Sequence, residues 1–127
     1  MIGESQATKV LLVDDNAVVR DMLVDLVASF GFHPEPAASG PEALALFDRG
    51  SYDIVLTDLL MPGMGGWEVV EAVHERNPNM PVVIITGSPV IDDPRAAKRN
   101  VAILKKPVDV SCLENLIKRM VEQRQPV

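Results

Sequence analysis

Four short, uninterrupted apolar runs punctuate the chain, at residues 10–13, 54–56, 82–85 and 101–104. They are continuous rather than alternating, which suits strands buried on both faces of a parallel sheet. Between them lie amphipathic stretches at helical spacing. Val19, Met22, Leu23, Leu26 and Phe30 recur as i, i+3, i+4, i+7 and i+11, predicting an inward stripe that ends where Gly31 stops the helix. Leu113, Leu116, Ile117, Met120 and Val121 make the cleanest stripe, near the C-terminus. A weaker strand at 32–37 and helices near 40–49 and 66–76 complete the alternation. Ser39 is a candidate helix cap, with Pro41 and Glu42 in the first turn behind it. Pro78 and Pro81 bound the loop before the run at 82–85. The pattern is (βα)5, a doubly wound α/β sheet of five parallel strands with helices on both faces. In such sheets the functional crevice lies beyond the carboxyl ends of the strands, where strand order reverses.

The 127 residues suffice for one domain with a substantial core, expected to span the whole of 1–127 with its folded part at about 9–120. Composition adds exclusions. The net charge of −6 leaves no basic stripe to displace counterions from nucleic acid, so no direct nucleic-acid contact is expected. No apolar run approaches the roughly 18–20 residues needed to cross a bilayer, and no secretory signal is visible. A cytoplasmic location follows as the expectation. Cys112 has no companion for a disulfide or a metal site, and its helical setting predicts a packing role. Residues 1–7 and 122–127 read as ragged ends.

The chemistry gathers at one edge. Asp14, Asp15 and Asn16 follow the first run, Thr57 and Asp58 the third strand, Thr86 and Gly87 the fourth, and Lys106 and Pro107 the fifth. A parallel sheet brings all of them to the same side. Taken singly, Asp15 or Asn16 could cap a helix, Asp58 could be a loop residue, Thr86 could satisfy a turn and Lys106 could be a solvated lysine. Together they fall at successive strand ends, which independent surface residues would not do. Three neighbouring carboxylates repel one another unless a cation intervenes. Mg²⁺ suits them: it takes hard oxygen ligands, needs only one or two carboxylates, and keeps waters that a phosphate can displace. The task this implies is phosphoryl transfer, with Lys106 as a second cation, Thr86 as a hydroxyl donor and a carboxylate as nucleophile. Asp58 is the choice for that nucleophile, because Asp14 and Asp15 are suited to the metal.

VLLVDDN, IVLTDLLMPGMGGWEVV, VVIITG and LKKPVD, in this order and spacing, resemble the receiver domain of two-component response regulators. The resemblance runs from about Lys9 to Met120 and implies the flavodoxin-like strand order 2-1-3-4-5. It implies Asp58 as phosphoacceptor, Asp15 as direct metal ligand, Asp14 as an acid holding metal through water, and the backbone carbonyl of Leu60 as a further ligand. Thr86 matches the switch hydroxyl and Lys106 the lysine that contacts the phosphoryl group, with a cis Lys106–Pro107 bond. The implied partner is a sensor histidine kinase or phosphotransfer protein, and the implied domain hydrolyses its own acyl phosphate. Two departures touch the output route. Ile103 stands where the family often has Tyr or Phe, and the stretch from Thr86 to Lys106 is short and carries Pro89 and Pro94. The helix between the fourth and fifth strands is therefore expected to be short or displaced. Segment 87–99, with the face of that helix, the fifth strand and the last helix, is expected to meet a downstream protein.

Rival readings are an Mg²⁺-dependent aspartyl-phosphate phosphatase of the haloacid dehalogenase type, a flavodoxin-like electron carrier, and an unphosphorylated interaction scaffold. The first would want Asp-x-Asp after the first strand, where this chain has Asp-Asp-Asn. The second needs a Ser/Thr-rich phosphate loop there, and the acidic pair would repel a flavin phosphate. The third keeps the fold without being phosphorylated, yet every site position is intact. His33 and His74 are isolated and read as surface or packing residues. No output domain follows the last helical stripe, so the chain reads as a free-standing receiver or as part of a hybrid kinase or larger regulator.

Overall fold

Five parallel strands make one sheet in the order β2-β1-β3-β4-β5, as expected. The computed structural model describes residues 7–87, 94 and 100–124. Its elements are β1 (Lys9–Val13), α1 (Ala17–Ser29), β2 (His33–Ala37), α2 (Gly40–Arg49), β3 (Ile54–Asp58), α3 (Gly66–Arg76), β4 (Val82–Thr86), β5 (Val101–Lys105) and α4 (Val110–Arg124). Residues 88–93 and 95–99, where a short or displaced helix was expected, lie outside the described residues.

Why the runs are continuous is plain from the two cores. Leu11, Val13, Val55, Val82 and Ile84 face one side of the sheet, where Ala43 of α2 and Val69, Val70 and Val73 of α3 cover them. Val10, Leu12, Ile54, Leu56, Val83 and Ile85 face the other, beneath Leu23 and Val27 of α1 and Leu113, Ile117 and Met120 of α4. Alternate side chains therefore enter different cores, and both must be apolar. Each fully buried Val, Leu or Ile contributes roughly 1.5–3 kcal/mol.

The α1 stripe meets the core as predicted at Val19, Leu23, Leu26 and Phe30, with Val27 added to it and Met22 left out. Leu23 and Val27 are buried, whereas Met22 is 53% exposed. Consecutive helical residues point about 100° apart, so seating Leu23 over the sheet swings Met22 out toward the β5–α4 connection. Cys112 is corrected likewise: it is exposed, because its neighbour Leu113 takes the buried position. Ser39 does cap α2, accepting from the Glu42 amide at 3.2 Å. At the β2 edge the His33 amide donates to the Thr8 carbonyl at 2.8 Å, so residues of odd number turn toward β1. Pro34 and Pro36 then face outward without an N–H, which closes that edge to strand addition.

Candidate functional site

The reversal of strand order between β1 and β3 leaves a crevice at their carboxyl ends, and Asp14, Asp15 and Asp58 meet there. Ligand oxygens of all three lie within 4.8 Å of one another. Asp14 is buried, Asp58 half-buried and Asp15 exposed. The group is thus open to solvent on the Asp15 side and closed beneath.

The β1–α1 turn is tied at several points. The Asp14 amide donates to the Ala37 carbonyl at 3.2 Å. Oδ1 of Asp14 accepts the Asn16 amide at 2.9 Å, and Asn16 Oδ1 caps α1 by accepting from Val19 at 3.1 Å. Arg20 reaches back from α1 and donates to the Asp14 carbonyl at 2.7 Å. The β3–α3 loop is fixed as firmly. Asp58 Oδ1 accepts the Leu59 amide at 2.8 Å, Thr57 Oγ1 donates to the Asp58 carbonyl at 2.9 Å, and the Gly66 amide donates to the Leu59 carbonyl at 2.8 Å. Gly63 holds φ +78°, a left-handed turn that suits glycine. Gly66 lies so close to the loop that a β-carbon there would sit 2.5 Å from the Asp58 carbonyl oxygen.

Lys106 comes in from the end of β5. Its Nζ is 3.8 Å from Asp58 Oδ1 and 4.0 Å from Asp14 Oδ2, ion-pair distances rather than hydrogen bonds. Its amide donates to the Thr86 carbonyl at 2.8 Å, and the Lys106–Pro107 bond is cis, as expected. Thr86 is buried at the end of β4. Leu60 lies two residues beyond Asp58 with its side chain 68% exposed. Burial pushes the Asp14 carboxyl above its ordinary range; the Asn16 amide and Lys106 oppose the shift, and the charges of Asp58 and Asp15 add to it. Among the described residues, one buried carboxylate flanked by two others is faced at ion-pair distance by the Lys106 ammonium, a donor set short of positive charge. Hard oxygens in that arrangement fit Mg²⁺.

The fold thus assembles the acidic residues and the lysine that the sequence nominated. Arg20 and Gly66 escaped that reading, and Thr57 was placed at the strand end without its contact to the Asp58 carbonyl. In sequence, Arg20 is one polar position on a helix and Thr57 one residue of a strand. The Gly65-Gly66 pair opening a helix was the one visible signal.

The family model for the response regulator receiver domain matches residues 10–118. The chain belongs to this family. The transcriptional regulatory protein GlrR of Escherichia coli K12 is 35% identical over 118 residues, covering 91% of this chain and 27% of GlrR. The sensory transduction protein RegX3 of Mycobacterium tuberculosis is 42% identical over 79 residues, 62% of this chain and 34% of RegX3. The receiver therefore spans only about a quarter to a third of these curated relatives. Among solved structures, a receiver domain protein of Clostridium thermocellum superposes with a TM-score of 0.86 at 28% identity, covering 92% of this chain and 96% of that one. Chemotaxis protein CheY4 of Vibrio cholerae gives 0.82 at 29% identity, covering 91% and 99%. Receiver domains are phosphorylation switches of two-component signalling that pair with histidine kinases and bind Mg²⁺ at an acidic pocket. Among the described residues no helix is long and apolar enough to cross a membrane.

Proposed function

We propose that this receiver accepts a phosphoryl group onto Asp58 from a phosphohistidine donor, with Mg²⁺ held by Asp14, Asp15, Asp58 and the backbone carbonyl of Leu60. The observation that carries the reading is the convergence of three carboxylates within 4.8 Å, faced by Lys106. Asp58 Oδ1 is occupied by the Leu59 amide, which orients the carboxylate for attack through its other oxygen. The P–N bond to the donor imidazole breaks as a P–O bond to Asp58 forms, giving an acyl phosphate. When bound, Mg²⁺ neutralises charge on the phosphoryl oxygens. Lys106 supplies a second positive charge beside Asp58 and Asp14, and the Thr86 hydroxyl donates to a phosphoryl oxygen. Water later hydrolyses the acyl phosphate and resets the switch.

The donor has a surface to sit on. A groove of about 600 Å³ runs from Lys106 between α1 and the start of α4, lined by Met22, Leu23, Leu26, Pro107, Val108 and Val110. Its continuity with the site through Lys106 suits a kinase or phosphotransfer helix whose histidine must reach Asp58. The output passes to a protein partner on the β5–α4 side rather than to nucleic acid, in keeping with the net charge of −6.

Acetyl phosphate with Mg²⁺ should add one phosphoryl group by intact mass, and Asp58→Asn should abolish it. An acid-stable adduct, or one on Ser or Thr, overturns the acyl phosphate. An absent adduct favours the scaffold reading. Met22→Glu should slow transfer from a phosphohistidine donor while leaving labelling by acetyl phosphate unchanged.

A further inference from the structure

We propose that Arg20 is a positioning residue for the metal-binding turn, acting on the geometry of Asp14 and Asp15 through the peptide between them. The inference rests on the reading that these carboxylates hold Mg²⁺. Arg20 is half-buried in the early part of α1, and both its ends return to the turn that precedes it. Its backbone amide donates to the Asn16 carbonyl at 2.8 Å, and its guanidinium donates to the Asp14 carbonyl at 2.7 Å. Among the described residues no other donor reaches that carbonyl.

Which carbonyl it is matters. The Asp14 carbonyl belongs to the rigid plane joining Asp14 to Asp15. Holding that plane sets ψ of the first aspartate and φ of the second, and so the relative direction of their side chains. A guanidinium is suited to the task, because its charged N–H groups form the shorter and stronger class of hydrogen bond. It also reaches the backbone rather than a carboxylate, which leaves the acidic oxygens available to a cation. Helix electrostatics do not account for the residue, since a cation near the start of a helix faces the positive end of the dipole. Groups that orient metal ligands from behind commonly contribute tenfold or more to affinity.

The two alkaline-earth ions separate positioning from mere stability. Mg²⁺ demands near-ideal octahedral geometry, whereas Ca²⁺ accepts six to eight oxygens in flexible arrangements. Loosening the turn should therefore penalise Mg²⁺ more than Ca²⁺. The test is calorimetric titration of the full chain with each ion alone, on wild type, Arg20→Ala and Arg20→Lys, with Asp15→Asn as the reference for a lost ligand. Arg20→Ala should weaken Mg²⁺ binding roughly tenfold and Ca²⁺ binding by less than about twofold, and Arg20→Lys should recover part of the loss. Should Arg20→Ala fail to fold, Arg20→Gln serves for the same comparison. Unchanged Mg²⁺ affinity, or equal losses for both ions, overturns the role of Arg20 alone. A wild-type chain that binds no Mg²⁺, or binds it no better than Asp15→Asn, overturns the metal reading beneath it.

Discussion

Gly66→Ala tests how closely the phosphoacceptor loop is built. The added β-carbon would lie 2.5 Å from the Asp58 carbonyl oxygen and 2.9 Å from Leu59 Cα. Both are backbone atoms, so neither can rotate aside as a side chain would. Relieving the closer contact moves α3 or the Asp58 segment by about half an ångström, against the 2.8 Å hydrogen bond from Gly66 to Leu59. Overpacking of this kind costs roughly 1–3 kcal/mol. The helix preference of alanine over glycine returns about 0.5–1 kcal/mol. A net loss of about 1–2 kcal/mol corresponds to a fall of roughly 4–8 °C in melting temperature for a chain of this length. The larger effect should fall on chemistry. A misplacement of 1 Å can cost about a hundredfold in rate, so half of that predicts about a tenfold slower reaction of Asp58 with acetyl phosphate.

Gly63→Ala is the matching control. Gly63 has φ +78° and open space around its would-be β-carbon, so alanine there is strained without touching Asp58. Forcing alanine into the left-handed region costs about 1–2 kcal/mol, a comparable loss of stability. Thermal melts and phosphorylation time courses on both variants separate the effects. Gly66→Ala should lose rate beyond its loss of stability, while Gly63→Ala should lose stability and keep its rate within about twofold. Equal rates for the two variants would refute the close-packing reasoning.

Asp14→Asn should raise the melting temperature of the metal-free protein at neutral pH. The folded carboxyl titrates above its unfolded value, so its stabilising protonated form is present at low pH and is lost as pH rises through the folded pKa. The gain should vanish below about pH 4, and millimolar Mg²⁺ should narrow it by stabilising the wild type; a gain independent of both would contradict the assignment. Tyr52→Phe removes a 2.8 Å hydrogen bond to Glu35 and should cost about 1 kcal/mol in urea melts. Burial and Glu35 push the Tyr52 hydroxyl up to about 12. The wild type should therefore lose stability between about pH 10, the unfolded value, and pH 12, and the Phe variant should lack that contribution. Lys106→Ala should preserve the fold, since the contacts it removes to Asp58 and Asp14 are ion pairs at 3.8 and 4.0 Å rather than hydrogen bonds. It should diminish the NMR shift that beryllofluoride induces at the Thr86 amide; an undiminished shift would count against a role in reading the phosphoryl charge.

The strands were legible because each run feeds two cores, and burial on both faces forces a continuous apolar pattern. Helix faces were less so. An apolar stripe wide enough to include Met22, Leu23 and Leu26 does not say which edge meets the sheet, and at Met22 the outer edge was an open groove. Cys112 misled for a related reason. Beside Leu113, it occupies a flank of the helix that is left exposed among the described residues.

The site divides along the same physical line. Asp14, Asp15, Asp58 and Lys106 could be nominated from residue type and place in the strand–helix order, because clustered like charge at strand ends demands compensation. The groups holding them carry no such mark. The meaning of Arg20 depends on which atom its guanidinium finds, and that atom is a main-chain carbonyl identical in kind to every other. The meaning of Gly66 lies in a side chain it lacks, and shows only once the Asp58 carbonyl is placed against its Cα. Chemistry is written in residue types, while positioning is written in distances between elements far apart in the chain. Substitutions at these supporting positions therefore measure something that the acidic residues themselves do not: how much of the site's reactivity depends on where its carboxylates are held.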